Sequence, residues 1–131
     1  MGEHVQLTRL RVAGYELVTP TPGKQPTEEQ LVAAIPGCVG YLAGIEPVTS
    51  TVLEAAHNLR VIARNGTGIN NIDLAVAQRL NIKICRAEGA NARGVAELAL
   101  GLILAVARAI PASDNAIKTG GWKRTTGIEL E

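Results

Sequence analysis

The run RVIARNGTGINNID, residues 60–73, constrains this chain more than any other segment. A β-branched strand carrying Val61 and Ile62 meets Gly66 and Gly68, and a helix start is expected within about three residues of that turn. Glycines permit backbone conformations that a side chain forbids, and Asn70 with Asp73 reads as a capping pair for the helix. Successive N–H groups in such a bend suit a carboxylate or phosphate, whereas the plain alternative is a tight strand-to-helix connection with no ligand. A dinucleotide-binding loop needs a third glycine for close helix–strand packing, and the register Gly66, Gly68 puts Asn71 in that place. The bend is therefore not a pyrophosphate loop.

The 131 residues suit one domain with a real core, or part of a larger unit. Phe is absent and Trp122, Tyr15 and Tyr41 are the only aromatic residues, so the core must come from Val, Ile, Leu and Ala, which favours α/β layers over a sandwich. A formal charge of +1, spread without a basic stripe, gives nucleic acid no handle. Cys38 and Cys85 lack metal-ligand spacing and read as small buried apolar residues in a reducing compartment, a disulfide being the lesser alternative. The Asn65-Gly66-Thr67 sequon is read as accidental because the opening MGEHVQLTRLR has no apolar signal core, and cytoplasm is the expected location.

Periodicity predicts helices near residues 3–12, 27–34, 50–56 and 72–80, alternating with strands near 16–19, 39–43, up to Arg64, and 82–85. That alternation implies a parallel, doubly wound sheet, with Gly44 to Pro47 as one of the connections on the side where ligands of such sheets approach. From Asn91 to about Ala109 the helix is apolar nearly all round and too short for a membrane span, so burial between layers, domains or subunits is expected. Pro111 ends or kinks it, and a second helical stretch follows over 112–118.

The motifs RNGTGINNID, GANARGVAELALGLILAVAR, GGWKR and GIEL, in this order and over most of the chain, resemble the D-2-hydroxyacid dehydrogenases, phosphoglycerate dehydrogenase branch. The resemblance implies a flavodoxin-like substrate-binding domain, partial, over residues 1–90, and interdomain and dimerisation helices over 91–131 that lead to an NAD-binding domain absent here. It implies an NAD-dependent oxidoreductase acting on the CH–OH group of a D-2-hydroxy acid, in a homo-oligomer, with no membrane or nucleic-acid partner. By the same match Asn65, Gly66, Thr67 and Gly68 hold the substrate, backbone amides gripping its carboxylate. Thr67 also lies near the nicotinamide, and Asn91 contacts substrate. Fixing the carboxylate before hydride moves to or from the adjacent carbon is sound chemistry. A helix N-cap is the competing role for Asn91.

The family's GxGxxG turn, catalytic Arg and Glu-supported His lie beyond the stretch matching residues 127–130, so no catalytic residue is assigned in this chain, which by itself is expected to be inactive. His4 and His57 have no evident acidic orienter and read as solvated or capping residues. Arg64 and Asp73 read as structural charges. The family also opens with a central strand that this sequence lacks; the sheet is then expected either to close up or to be covered by another chain. Arg124 matches a basic position used for substrate phosphate, but a second cation is missing where the chain reads Leu42-Ala43-Gly44, and Glu46 adds negative charge nearby. An unphosphorylated acid is thus at least as well supported as phosphoglycerate. The alternative from another class is a non-catalytic, self-associating fragment or interaction module. A receiver-like regulator lacks the acidic pocket it needs.

Overall fold

A computed structural model describes residues 5–122 and 124–130; Glu3 and His4, at the start of the first expected helix, lie outside them. The chain divides into two compact units, residues 1–88 and 89–131.

The first unit contains helix α1 (Val5–Val12), α2 (Glu28–Ala34), strand β1 (Gly40–Ala43), α3 (Ser50–Ala55), β2 (Val61–Arg64), α4 (Leu74–Arg79) and β3 (Lys83–Arg86). The strands form a parallel sheet in the order β1-β2-β3, with Tyr41, Ile62 and Ile84 side by side. The two crossover helices, α3 and α4, pack against each other on the same face of the sheet. Ala43 and Ile62 are fully buried on that face, together with Val52 and Leu53 of α3 and Ala77 of α4; Leu31 of α2 completes the packing. This is an open, three-stranded parallel α/β sheet of the flavodoxin-like kind, in which β1 is an edge strand among the described residues. The opposite face carries Leu42, Ala63 and Cys85, all exposed.

Local chemistry explains the helix starts. Thr27 and Gln30 form a reciprocal capping box on α2, and the Thr49 hydroxyl and Asp73 carboxylate accept from the N–H groups of Val52 and Val76. Asn70 has no share in that cap. The helix after the bend begins at Leu74, later than expected, because Ile72 is held in a parallel bridge to Val48.

Several expectations are corrected. Residues 16–19 form no strand: extended chain becomes a strand only beside a partner, and among the described residues β1 pairs with β2 alone. The sheet therefore does not close up over its outer edge. Cys85 is exposed because it points to the uncovered face, while Cys38 is half-buried with its thiol donating to the Ala34 carbonyl; neither forms a disulfide.

The second unit is α5 (Ala92–Ala107) followed by α6 (Ile110–Lys118), bent by 65°. The break falls at Ala109, which adopts a left-handed conformation (φ 50°), and Pro111 sits in the first turn of α6, where its missing N–H costs no helical bond. None of the apolar residues of α5 is buried in this chain; Val106 is 78% exposed. Among the described residues no single helix is long and apolar enough to cross a membrane.

Candidate anion site at the strand ends

Parallel strands end together, so the segments after β1, β2 and β3 meet at one edge of the sheet. Asn65 N–H donates to the Ala43 carbonyl at 2.9 Å, continuing the ladder beyond β2, and Ala87 N–H donates to the Gly66 carbonyl at 3.0 Å. The bend is thereby held from both neighbouring strands. Gly66 takes φ 153°, and its N–H turns back to the Arg64 carbonyl at 2.8 Å. A Cβ there would lie 2.8 Å from Arg64 Nη1, so the guanidinium rests against the space that glycine leaves. Among the described residues the N–H groups of Thr67 and Gly68 donate to no protein acceptor, whereas that of Gly66 is engaged internally.

Glu46 and Asn71, neither of them among the expected site residues, build the support. Glu46, 6% exposed, is the buried charged side chain among the described residues. Its Oε1 accepts from the Tyr41 hydroxyl at 2.5 Å and from Gly44 N–H at 2.8 Å. Asn71 Nδ2 donates to the carbonyls of Glu46 at 2.8 Å and Gly44 at 3.2 Å, and its Oδ1 accepts from Arg64 Nε at 3.3 Å. Arg64 Nη1 donates to the Asn65 carbonyl at 2.6 Å. Asn71 thus joins the segment after β1 to the bend after β2, alongside the Val48–Ile72 bridge. In the sequence Glu46 reads only as a negative charge two residues beyond Gly44; its burial and its donors come from the fold.

Burial raises the Glu46 carboxyl, but hydrogen bonds from Tyr41 and the backbone, with the charge of Arg64, hold it below the usual carboxylate range. The Tyr41 hydroxyl is pushed up by burial and by the Glu46 carboxylate that accepts its hydrogen bond. The carboxylate is therefore ionised at neutral pH and the phenol is not.

The remaining expected site residues are distributed as follows. Asn65 is exposed at the bend, and Thr67 is half-buried there. Asn91 belongs to the other unit, at the N-cap position of α5, but its side chain makes no capping hydrogen bond. Arg124 is exposed in that unit, and His57 is exposed after α3. Among the described residues no cluster of His, Cys, Asp and Glu has the arrangement to hold a metal ion.

Comparison with known proteins agrees with this architecture. The sequence profile described as D-isomer specific 2-hydroxyacid dehydrogenase, catalytic domain, matches residues 3–126. The chain is 38% identical over 107 residues to D-3-phosphoglycerate dehydrogenase of Sus scrofa, covering 79% of this chain and 20% of the relative. It is 46% identical over 77 residues to hydroxypyruvate reductase of Thermotoga maritima, covering 59% and 25% respectively. The crystal structure of the TT0316 protein from Thermus thermophilus superposes with a TM-score of 0.79 at 28% identity, covering 95% of this chain and 42% of that one. The chain spans about a fifth to a quarter of the length of these curated relatives. On this evidence the chain belongs to the D-isomer specific 2-hydroxyacid dehydrogenases, of whose catalytic domain it is a part.

Proposed function

We propose that the bend over Asn65, Gly66, Thr67 and Gly68 binds the carboxylate of a small 2-hydroxy or 2-oxo acid, as the substrate half of an NAD-dependent oxidoreductase acting on the CH–OH group of D-2-hydroxy acids. The observation that carries the reading is the pair of N–H groups at Thr67 and Gly68, without protein acceptors among the described residues, beside a glycine whose N–H and carbonyl are both engaged. Amide dipoles orient a carboxylate without a titrating group, leaving the reacting carbon free for hydride transfer. Asn91 is a further substrate contact on this reading.

NAD is the cofactor that family membership suggests for the whole protein. The residues of this chain do not fit its pyrophosphate: Asn71 occupies the third-glycine place, and both ends of its side chain are engaged. Acid/base and carbonyl-polarising groups are likewise assigned to polypeptide outside these residues, so the chain alone should show no dehydrogenase activity with NAD and a panel of 2-oxo acids.

The test is a titration with D-lactate or D-glycerate followed by amide NMR. The expected result is saturable shifts centred on Thr67 and Gly68. Shifts confined to another part of the chain, or none, overturn the reading. A second reading, a self-associating module without activity, is favoured by the uncovered apolar surface of α5 and by the open edge of β1.

A further inference from the structure

Of the seven asparagines in the sequence, Asn65 alone precedes a glycine. Glycine lacks the Cβ that shields the main-chain nitrogen of other residues, so Gly66 N has open access to the side-chain amide carbon, Cγ, of Asn65. Bonding between them closes a five-membered ring. Asn65 is exposed, and among the described residues its side chain takes part in no hydrogen bond that would hold it away. Asn71 differs, since both ends of its side chain are engaged and an isoleucine follows it.

Ring closure requires Gly66 N–H to lose its proton, and the resulting negative charge is shared with the Asn65 carbonyl oxygen. Arg64 Nη1 donates to that oxygen at 2.6 Å, so a cation already stands where the charge gathers. The Gly66 N–H donates to the Arg64 carbonyl at 2.8 Å, and this bond must open first. Opening one backbone hydrogen bond slows such a step by no more than about tenfold.

We propose that Asn65 and Gly66 form a self-modification site whose products disable the anion bend. Gly66 N bonds to Asn65 Cγ, the Cγ–Nδ2 bond breaks, and ammonia leaves with the proton taken from the glycine nitrogen. Water then opens the ring on either side. Breaking the new bond gives aspartate, and breaking the original peptide bond gives isoaspartate, in which the main chain runs through Cβ. Either product places a carboxylate two residues before the Thr67 N–H, where it repels an incoming anion. Isoaspartate also lengthens the chain by one carbon between two tethers, the Asn65 N–H on Ala43 and the Gly66 carbonyl on Ala87. The loss of binding rests on the carboxylate reading above, whereas the modification itself does not.

The test incubates the full chain in mildly alkaline buffer, folded in one sample and unfolded in guanidinium chloride in another. Peptide mass mapping with an isoaspartate assay follows Asn65. Conversion in the folded chain is expected within about tenfold of the unfolded rate and ahead of the remaining asparagines. A slower folded rate, or another asparagine converting first, overturns the proposal.

Ion exchange separates the modified chains by their added charge, and D-glycerate is titrated against each with the Thr67 and Gly68 amides as readout. The modified chains should bind about three- to tenfold more weakly than the unmodified one. Equal binding overturns the disabling role. An unmodified chain that does not respond to D-glycerate overturns the carboxylate reading and the disabling role with it, while the mass map decides the modification independently.

Discussion

The side-chain amide of Asn71 donates to the backbone carbonyl of Glu46 at 2.8 Å, joining two segments that share neither a strand nor a helix. Through its Oδ1 the same amide holds Arg64. Asn71→Ala leaves two loop carbonyls and a guanidinium N–H without this partner, and is expected to lower stability by about 1–3 kcal/mol. Asn71→Asp should be worse, since it sets an acceptor against two acceptors. Denaturant unfolding of the two variants checks the order, and an aspartate variant as stable as the alanine one contradicts it.

Tyr41→Phe removes the hydroxyl that donates to Glu46. Gly44 N–H remains a donor, so the loss is expected to be about 1–3 kcal/mol, the range for an under-partnered buried polar group. Chemical denaturation measures it. The substitution also weakens the force that keeps the Glu46 carboxyl acidic, so side-chain carbon NMR should show Glu46 titrating at higher pH in the variant.

The acid limb of stability follows from Glu46. Its folded carboxyl lies below the ordinary value of 4.5, so the fold favours the ionised form. That stabilisation is fully present above the unfolded value and is lost as pH falls below it through the folded value. Glu46→Gln has no such term. Unfolding curves recorded across the acid range should therefore show the wild-type chain losing ground to Glu46→Gln as pH falls below the ordinary glutamate value, with a flat difference above it.

The alkaline limb has the opposite sign. Tyr41 is raised above the ordinary tyrosine value of 10.0, so the unfolded phenol ionises before the folded one and stability declines as pH rises past that value. In Tyr41→Phe this part of the decline should disappear, which thermal melts in alkaline buffers can follow.

Gly66→Ala forces a side chain into φ 153° and displaces Arg64, whose Nη1 would lie 2.8 Å from the new Cβ. The backbone strain costs about 1–3 kcal/mol. The response of the Thr67 and Gly68 amides to D-glycerate should be lost as well. Gly14→Ala is the control: it also sits at positive φ (87°), but with nothing within 4 Å of the added carbon, and it should leave the titration at the bend unchanged.

The three strands, the apolar helix α5 and the glycine bend were legible in the sequence because they rest on local signals. β-branched runs favour extended chain, apolar residues recurring around a helix mark α5, and two glycines mark a backbone that a Cβ would obstruct. The ordered motifs likewise pointed to the family that the profile match shows. Residues 16–19 carried the same local signal as a strand and form none, since pairing depends on a neighbour distant in sequence. The later start of α4 arose in the same way, from the pairing of Ile72 with Val48.

Only tertiary structure turned Glu46 from a loop charge into a buried carboxylate and gave Asn71 its three partners. It also left Cys85 exposed, because helices cover one face of the sheet and not the other. Preference for a backbone conformation is a property of a residue and its near neighbours. The burial of a charge and the choice of its donors depend on which distant segments the parallel strands bring to a common end.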